Sequence, residues 1–204
     1  MDKNIIVFDF DKTLTYKDTL THFYIFTAKK NFLFPLKFSF YIFLTICCKF
    51  QIISNDYLKN KGFNLFMRGL TMNYLELKAE NFASKIKFNK LYKSFNFNTN
   101  KEKVIIVSAS YELYLKYLFP SNVEIIGSTF ISINNVAKEF DFNCYGTNKR
   151  TVLIKKDILN ITNFYTDSYS DKSLVDLSQK VIIVNRDELF ESNNINEFNL
   201  YFKK

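Results

Sequence analysis

Two aspartates near the start of the chain have the spacing to hold a divalent cation. Asp9 and Asp11 follow residues 5–8, an uninterrupted apolar run that predicts a strand buried on both faces. Because side chains two residues apart on an extended chain point the same way, the two carboxylates would crowd together where the strand ends. Oxygen ligands at that edge of a sheet suit Mg²⁺. A desolvated aspartate with no base or thiol beside it can also attack phosphorus and form an aspartyl phosphate.

Later segments place further polar side chains at the ends of predicted elements. Ser108 follows a second apolar run, and a hydroxyl between a strand and a helix can bind a phosphate oxygen. Asp167 and Asp171 follow a third run and could converge on one metal ion from a strand-to-loop turn. Lys149 opens a helical segment, where its ammonium could offset charge that accumulates during phosphoryl transfer.

The first of these segments resembles a motif of a known family. Residues 9–13, Asp-Phe-Asp-Lys-Thr, resemble the first motif of the haloacid dehalogenase superfamily of phosphohydrolases. The longer run through residues 18–19 resembles its phosphoserine-phosphatase-like branch, which includes phosphatidylglycerophosphate phosphatases. The resemblance implies an α/β fold with a Rossmann-like, doubly wound, mainly parallel sheet and an inserted all-helical cap. The core would comprise residues 1–15 and 96–204, and the cap residues 16–95.

The resemblance also implies a role for each candidate residue. Asp9 would be the nucleophile, and Asp11 would act as general acid and then general base. Thr13 would steady the loop, Ser108 would bind the phosphate, and Lys149 would neutralise charge. Mg²⁺ would be held by the Asp9 carboxylate, the Asp11 carbonyl and Asp167, with support from Asp171. Thr166 stands where this branch more usually has glycine.

Two residues of the predicted cap are candidates for substrate binding. In phosphoserine phosphatases a carboxylate nine residues after the nucleophile contacts the amino group of the substrate, and Asp18 has this spacing. Asp18 serves equally well as a helix N-cap. Arg68 lies in a segment that resembles the cap of the same branch and could meet a substrate anion. A solvated surface arginine is the alternative interpretation for Arg68.

The predicted cap carries the whole excess of positive charge of the chain. Residues 16–95 contain 13 Lys and Arg against 4 Asp and Glu, and the other residues contain 15 against 16. Within the cap, segment 32–53 is strongly apolar, but its longest uncharged part is shorter than the roughly 20 residues of a spanning helix. This pattern leaves two hypotheses open: a buried or self-associating helix, and a segment lying on an anionic membrane surface.

The remaining predictions concern local structure. The pattern predicts a helix over Leu20 to Lys30, a helix over Met72 to Phe88, a hairpin with its turn at Asn134 and Asn135, and a peripheral tail after Asn193.

Cysteine usage and the first residues indicate the compartment. Three cysteines without partners at metal-ligand spacing indicate neither a disulfide framework nor a zinc site, so a reducing cytoplasm is expected. The initial apolar run is too short and too acidic for a signal peptide. We expect cytoplasmic localisation, with the inner face of the membrane as a second possibility.

The sequence leaves three hypotheses for function. The first is a phosphatase of a lipid-linked or membrane-proximal phosphate, with peripheral membrane contact through the cap. The second is a phosphatase of a soluble metabolite such as phosphoserine or a sugar phosphate. The third is an inactive module that binds phosphate or membranes, which the intact acids disfavour. No nucleic-acid partner is expected.

Overall fold

A computed structural model describes residues 3–29 and 32–203 as an α/β fold, as the sequence predicts. Its strands are β1 (Asn4–Phe8), β2 (Glu102–Tyr111), β3 (Glu124–Ile133), β4 (Val136–Phe142), β5 (Ile161–Thr166), β6 (Ser178–Asn185) and β7 (Glu188–Ser192). Its helices are α1 (Leu20–Thr27), α2 (Phe34–Lys49), α3 (Asn55–Phe66), α4 (Met72–Ala83), α5 (Lys90–Ser94), α6 (Glu112–Leu115), α7 (Thr147–Lys155) and α8 (Ile195–Phe202), with a 3₁₀ helix over Tyr169–Leu177.

The seven strands form one mainly parallel sheet with β1 at its centre. The strand order is β4-β3-β2-β1-β5-β6-β7. Strands β3, β2, β1, β5 and β6 are parallel to one another. Strands β4 and β7 are antiparallel to their neighbours and form the two edges. The carboxyl ends of β1, β2 and β5 are therefore neighbours at one edge, where open α/β sheets bind their ligands.

Alternating side chains of β1 enter two different hydrophobic layers, which confirms that the strand is buried on both faces. Ile6 and Phe8 belong to a hydrophobic cluster that also contains residues of α1, α3, α4 and α6. Val7 packs on the opposite face with residues from α7, the 3₁₀ helix and α8, including Phe198. Helices thus cover both faces of the sheet, as in a doubly wound fold.

Helices α1 to α5 follow β1 and precede β2. The chain leaves β1 and returns to β2 through neighbouring segments, because Asn89 N–H donates to the Leu14 carbonyl at 3.0 Å and the Asn89 side chain donates to the Thr13 carbonyl at 2.8 Å. Inside this helical region, α3 lies close to α1: a Cβ added at Gly62 would meet the Tyr24 ring at 2.5 Å. Only glycine permits this approach.

Several boundaries differ from the sequence predictions. Helix α1 ends at Thr27, and Lys30, at the end of its predicted range, lies outside the described residues. Helix α4 ends at Ala83. The hairpin turn lies at Asn134 and Asn135 as predicted, both with positive φ, the conformation of a type I′ turn.

The C-terminal segment is more integrated than the sequence suggests. Strand β7 was not predicted, and α8 buries Phe198 completely. The ring of Phe198 packs on the ring of Tyr169, at 6.1 Å between centroids. The prediction of a peripheral tail was therefore wrong.

Candidate active site

The loop after β1 holds Asp9 at the centre of the sheet edge. The Asp9 N–H donates to the Tyr165 carbonyl of β5 at 2.9 Å, which continues the β1–β5 pairing by one residue. The chain then turns at Lys12, whose φ is +59°, and Leu14 N–H closes the turn onto the Phe10 carbonyl at 2.9 Å. This tight loop keeps Asp9 only 6% exposed.

Lys149, near the N-terminus of α7, is a buried ammonium between two carboxylates. Its Nζ donates to Asp9 Oδ1 at 2.7 Å and forms an ion pair with Asp171 Oδ1 at 2.8 Å. Burial alone would lower the pKa of Lys149, but the charges of Asp171 and Asp9 outweigh burial and raise that pKa. Lys149 therefore remains charged and holds Asp9 in one orientation.

Asp171 is fully buried and supports this arrangement from behind. Its Oδ2 accepts a hydrogen bond from Thr166 Oγ1 at 2.7 Å, while its Oδ1 faces Lys149. Burial raises the pKa of Asp171, and Lys149 opposes the shift. Both carboxylate oxygens are thus engaged inside the protein, and Thr166, at the position more usual for glycine, supplies one of the contacts.

A third carboxylate, Asp167, lies beside Asp9 at the end of β5. The Thr13 hydroxyl is 3.2 Å from Asp9 Oδ2 and 3.2 Å from Asp167 Oδ1, so it links the two side chains. Burial, followed by the charge of Asp9, raises the pKa of Asp167 to about 8. Such a shift marks two crowded carboxylates whose repulsion a cation would relieve.

The oxygen atoms at this place fit Mg²⁺. Among the described residues, no group of three or more His, Cys, Asp and Glu side chains is arranged to hold a metal ion by itself. Mg²⁺ does not need such a cage, since it keeps several waters and commonly uses one or two carboxylates together with substrate phosphate. Asp9 and Asp167 supply two carboxylates, and the Asp11 carbonyl lies in the same loop.

Asp11 points away from this pair towards the cap. Its Oδ1 accepts from the N–H and the hydroxyl of Thr19, both at 2.7 Å, and its Oδ2 accepts from Ser110 Oγ at 2.5 Å. Burial, then the charge of Asp18, raises the pKa of Asp11 to about 7. A carboxyl group with a pKa near neutrality can both give and take a proton, as general acid–base catalysis requires.

Ser108 is 1% exposed and lies in the irregular end of β2. The strand continues to Tyr111 instead of ending before Ser108 as the sequence suggested, and its register with β3 shifts between Val107 and Tyr111. Ser108 lines the same cavity as Asp9 and Asp167, and its Oγ accepts from the Ser110 N–H at 3.0 Å.

One small cavity joins these residues. Its volume is about 120 Å³, and its lining consists of Asp9, Asp11, Lys12, Asp18, Ser108, Ala109, Tyr145, Lys149, Asp167, Ser168, Ser170 and Asp171. A volume below the roughly 300 Å³ of drug-sized ligand sites suits a single reacting group. A larger pocket of about 660 Å³ lies at the opposite end of the strands, around Asn4 and Glu102, far from the paired acids.

The two cap candidates differ in position. Asp18 lines the cavity. The N-cap of α1 is Thr19 and not Asp18, although Asp18, one residue earlier, accepts from the Leu20 N–H through Oδ1 at 3.1 Å. Arg68 is exposed and lines a separate cleft of about 260 Å³ with Lys37 and Gly69, where its guanidinium is 3.4 Å from Asn64 Oδ1. The structure does not bring Arg68 to the cavity.

Three polar residues near the site were missed by sequence reasoning. Ser110 and Thr19 hold Asp11, and Lys59 reaches the end of β2 from α3. A signal existed for two of them. Ser110 is two residues from Ser108 on an extended chain, so their side chains share a side. Lys59 shares a helical face with Phe63 and Phe66, both buried.

Comparisons with known proteins identify the family of this chain. The chain matches the family of haloacid dehalogenase-like hydrolases over residues 6–176, and it belongs to that family. We found no curated protein whose sequence matches this chain significantly.

Solved structures with the same fold cover most of the chain. A haloacid dehalogenase family hydrolase from Salmonella enterica serovar Typhi is 14% identical with a TM-score of 0.61, covering 86% of this chain, which spans 60% of that protein's length. A phospho-aspartyl intermediate analogue of phosphoserine phosphatase is 15% identical with a TM-score of 0.57, and the match covers 98% of this chain and 99% of that protein. Phosphoserine phosphatase from T. onnurineus is 16% identical with a TM-score of 0.60, and the match covers 100% of this chain and 98% of that protein.

Proposed function

We propose that this chain is a Mg²⁺-dependent phosphomonoesterase that works through an aspartyl phosphate on Asp9. The observation that carries the proposal is the buried contact of Asp9 with Lys149, beside Asp167 and within one cavity. Family membership supports a hydrolase, and the phospho-aspartyl analogue of a structurally similar phosphatase supports this type of intermediate.

In the first half-reaction the phosphoryl group is transferred from the substrate to Asp9. Asp9 Oδ attacks the phosphorus, and the bond to the leaving oxygen breaks. Lys149, held between Asp9 and Asp171, offsets the negative charge on the phosphoryl oxygens. Asp9, Asp167 and the Asp11 carbonyl would hold Mg²⁺, which when bound neutralises phosphate charge and orients the group for in-line attack.

Asp11 completes both half-reactions as acid and base. In its protonated form it gives its proton to the leaving oxygen, and as a carboxylate it takes a proton from the water that cleaves the phosphorus–oxygen bond to Asp9. A pKa raised to about 7 by burial suits both steps. Thr19 and Ser110 hold the carboxyl group in place throughout.

The direct test is hydrolysis of an aryl phosphate with and without Mg²⁺. We expect Mg²⁺-dependent turnover, and we expect Asp9→Asn to reduce it by about four orders of magnitude or more, because the nucleophile is lost. Asp176→Asn is the matched control, since Asp176 is 67% exposed on the 3₁₀ helix. Retained turnover in Asp9→Asn would refute the nucleophile assignment, and inactive wild type on every phosphate tried would favour a binding module.

We also propose that the substrate phosphate is carried by a lipid and that α2 contacts the membrane. This helix is apolar on its buried side, where Tyr41 and Leu44 pack, and on its solvent side. The solvent-facing residues of α2, together with Phe50 at its C-cap, are called here the apolar stripe: Leu36, Phe40, Phe43, Ile46 and Phe50, which are 70%, 45%, 59%, 50% and 72% exposed. Such a patch exceeds the scattered exposed apolar residues normal for a protein surface.

Charge and length support surface contact over insertion. The 13 basic against 4 acidic residues in segment 16–95 suit the anionic cytoplasmic face of a membrane. Within residues 3–29 and 32–203, no helix combines the length and apolarity needed to cross a bilayer.

Vesicle flotation tests the lipid-linked substrate. We expect the protein to float with vesicles containing an anionic phospholipid, to dissociate in high salt, and to hydrolyse a phosphatidyl-linked monoester faster than phosphoserine or a sugar phosphate. Absence of flotation together with faster turnover of soluble phosphates would identify a metabolite phosphatase instead.

A further inference from the structure

Lys59 is a buried cation from the cap whose role the proposed mechanism leaves open. It lies on α3, is 2% exposed, and its Nζ donates to three uncharged acceptors: the Ala109 carbonyl, Ser128 Oγ at 3.0 Å and Asn143 Oδ1 at 2.6 Å. Three acceptors match the three N–H donors of the ammonium form. Burial lowers the pKa of Lys59 to about 7, so an uncompensated charge at this place is costly.

The Ala109–Ser110 peptide connects this ammonium to the candidate phosphate ligand. The Ala109 carbonyl accepts from Lys59, and the N–H of the same peptide unit, which belongs to Ser110, donates to Ser108 Oγ at 3.0 Å. In a trans peptide the C=O and N–H groups point in opposite directions. Lys59 and the Ser108 hydroxyl therefore lie on the two sides of one peptide.

This arrangement determines what the Ser108 hydroxyl can do. One lone pair of its oxygen accepts from the Ser110 N–H, which leaves its hydrogen free to donate to a group bound in the cavity that Ser108 lines. A cation on the carbonyl polarises the peptide and strengthens the N–H as a donor. We propose that Lys59 is a positioning residue for phosphate binding, which fixes the Ser108 hydroxyl as a donor to the phosphoryl group through the Ala109–Ser110 peptide. The inference rests on the proposed function, in which Ser108 binds that group.

The same network makes the phosphate site depend on the docked cap. Asn143, which accepts from Lys59, donates through Nδ2 to Asp56 Oδ1 at 2.7 Å and to Asn55 Oδ1 at 3.0 Å. Both acceptors belong to the first turn of α3. Lys59 thus reaches the Ala109 carbonyl only when α3 is seated on the core.

A double-mutant cycle with Lys59→Met and Ser108→Ala tests this role. The readouts are kcat and KM for an aryl phosphate, and the Kd of inorganic phosphate measured calorimetrically with Mg²⁺ present. In the wild-type background we expect Lys59→Met to weaken phosphate binding and lower kcat/KM by about 10-fold or more, the usual effect of a charge-assisted hydrogen bond. In the Ser108→Ala background we expect almost no further change.

Equal effects of Lys59→Met in both backgrounds would overturn the inference while leaving the proposed function intact. If Lys59→Met does not fold, Ser128→Ala replaces it in the cycle, because Ser128 Oγ also donates to the Ala109 carbonyl, at 2.8 Å, and accepts from Lys59. A wild-type protein with neither turnover nor phosphate binding would refute the proposed function and this inference with it. Phosphate binding without turnover would leave the calorimetric cycle to decide the inference alone.

Discussion

The sheet edge around Asp9 and the solvent face of α2 are opposite in character. At the sheet edge, charged groups are buried: Lys149 and Asp171 are 3% and 0% exposed. On α2, large apolar side chains are exposed, with Leu36 at 70%. Neither arrangement favours stability, since burying charge and exposing apolar surface both cost free energy.

The two regions compensate this cost in free energy in different ways. At the sheet edge, the buried charges compensate one another within the protein, through the contacts of Lys149 with Asp9 and Asp171. On α2, nothing among the described residues covers the apolar stripe, and under the proposed function an anionic membrane surface covers it. The comparison predicts that substitutions at the sheet edge alter turnover and folding together, whereas substitutions on the stripe alter membrane contact alone.

The largest effect is expected from Lys149→Met. Removing the ammonium leaves Asp9 and Asp171 buried without their shared partner, which typically costs about 3–5 kcal/mol of unfolding free energy. Turnover should also fall by about 10²-fold to 10³-fold, as when one group that stabilises transition-state charge is lost. Urea denaturation and aryl phosphate kinetics check both expectations.

Lys155→Met on the same helix is the matched control, because Lys155 is exposed. We expect it to change neither quantity measurably. Normal turnover in Lys149→Met would contradict this expectation, because the buried contact of Lys149 with Asp9 would then be only structural.

A second, smaller effect concerns pH and Mg²⁺. Burial raises the pKa of Asp167 to about 8 and that of Asp11 to about 7, so these two groups bind more protons in the folded protein than in the unfolded chain between about pH 4 and pH 8. The unfolding free energy contributed by these groups therefore falls as pH rises through this range. Mg²⁺ requires ionised carboxylates, so its stabilising effect should grow with pH.

Thermal denaturation with and without Mg²⁺, at about pH 5 and about pH 7.5, measures this dependence. The increase in Tm caused by Mg²⁺ should be larger at the higher pH, and Asp167→Asn should remove most of it. An Mg²⁺ effect that is equal at both pH values, or that survives in Asp167→Asn, would place the metal elsewhere.

The smallest effect on the protein itself is expected from the apolar stripe. Leu36→Glu and Phe43→Glu should leave turnover of a soluble aryl phosphate unchanged, because both side chains are exposed. Each should reduce vesicle binding by about 10-fold or more, since burying one such side chain contributes about 1.5–3 kcal/mol. Leu77→Glu on α4, where Leu77 is 58% exposed outside the stripe, is the control. Equal losses in Leu36→Glu and Leu77→Glu would show that general charge, and not the stripe, governs binding.

Part of this architecture could be predicted from the sequence. The run 5–8 followed by Asp9 gave the central strand, because a doubly buried strand is uninterruptedly apolar. The chain order of Asp9, Ser108, Lys149 and Asp167 gave the set of side chains that the structure gathers in one cavity. Parallel strands explain why Asp9, Ser108 and Asp167 come together, since their carboxyl ends meet at one edge. Lys149 reaches the same edge from the first turn of α7.

Other features depend on contacts that no local pattern encodes. Lys59 meets the Ala109 carbonyl 50 residues away, and Thr19 meets Ser110 91 residues away. Both contacts follow from how the cap is seated on the core. Strand β7 is mostly exposed and has no apolar alternation, so the period-2 signal of a strand is missing there.

Trapping of the covalent intermediate tests the central claim most directly. The protein is mixed with an aryl phosphate and Mg²⁺, quenched in acid within the first turnover, digested, and analysed by mass spectrometry. We expect one phosphoryl group on the peptide containing Asp9 and none on the corresponding peptide of Asp9→Asn. A phosphoryl group on any other residue, or turnover with no phosphorylated peptide at any quench time, would show that Asp9 is not the nucleophile.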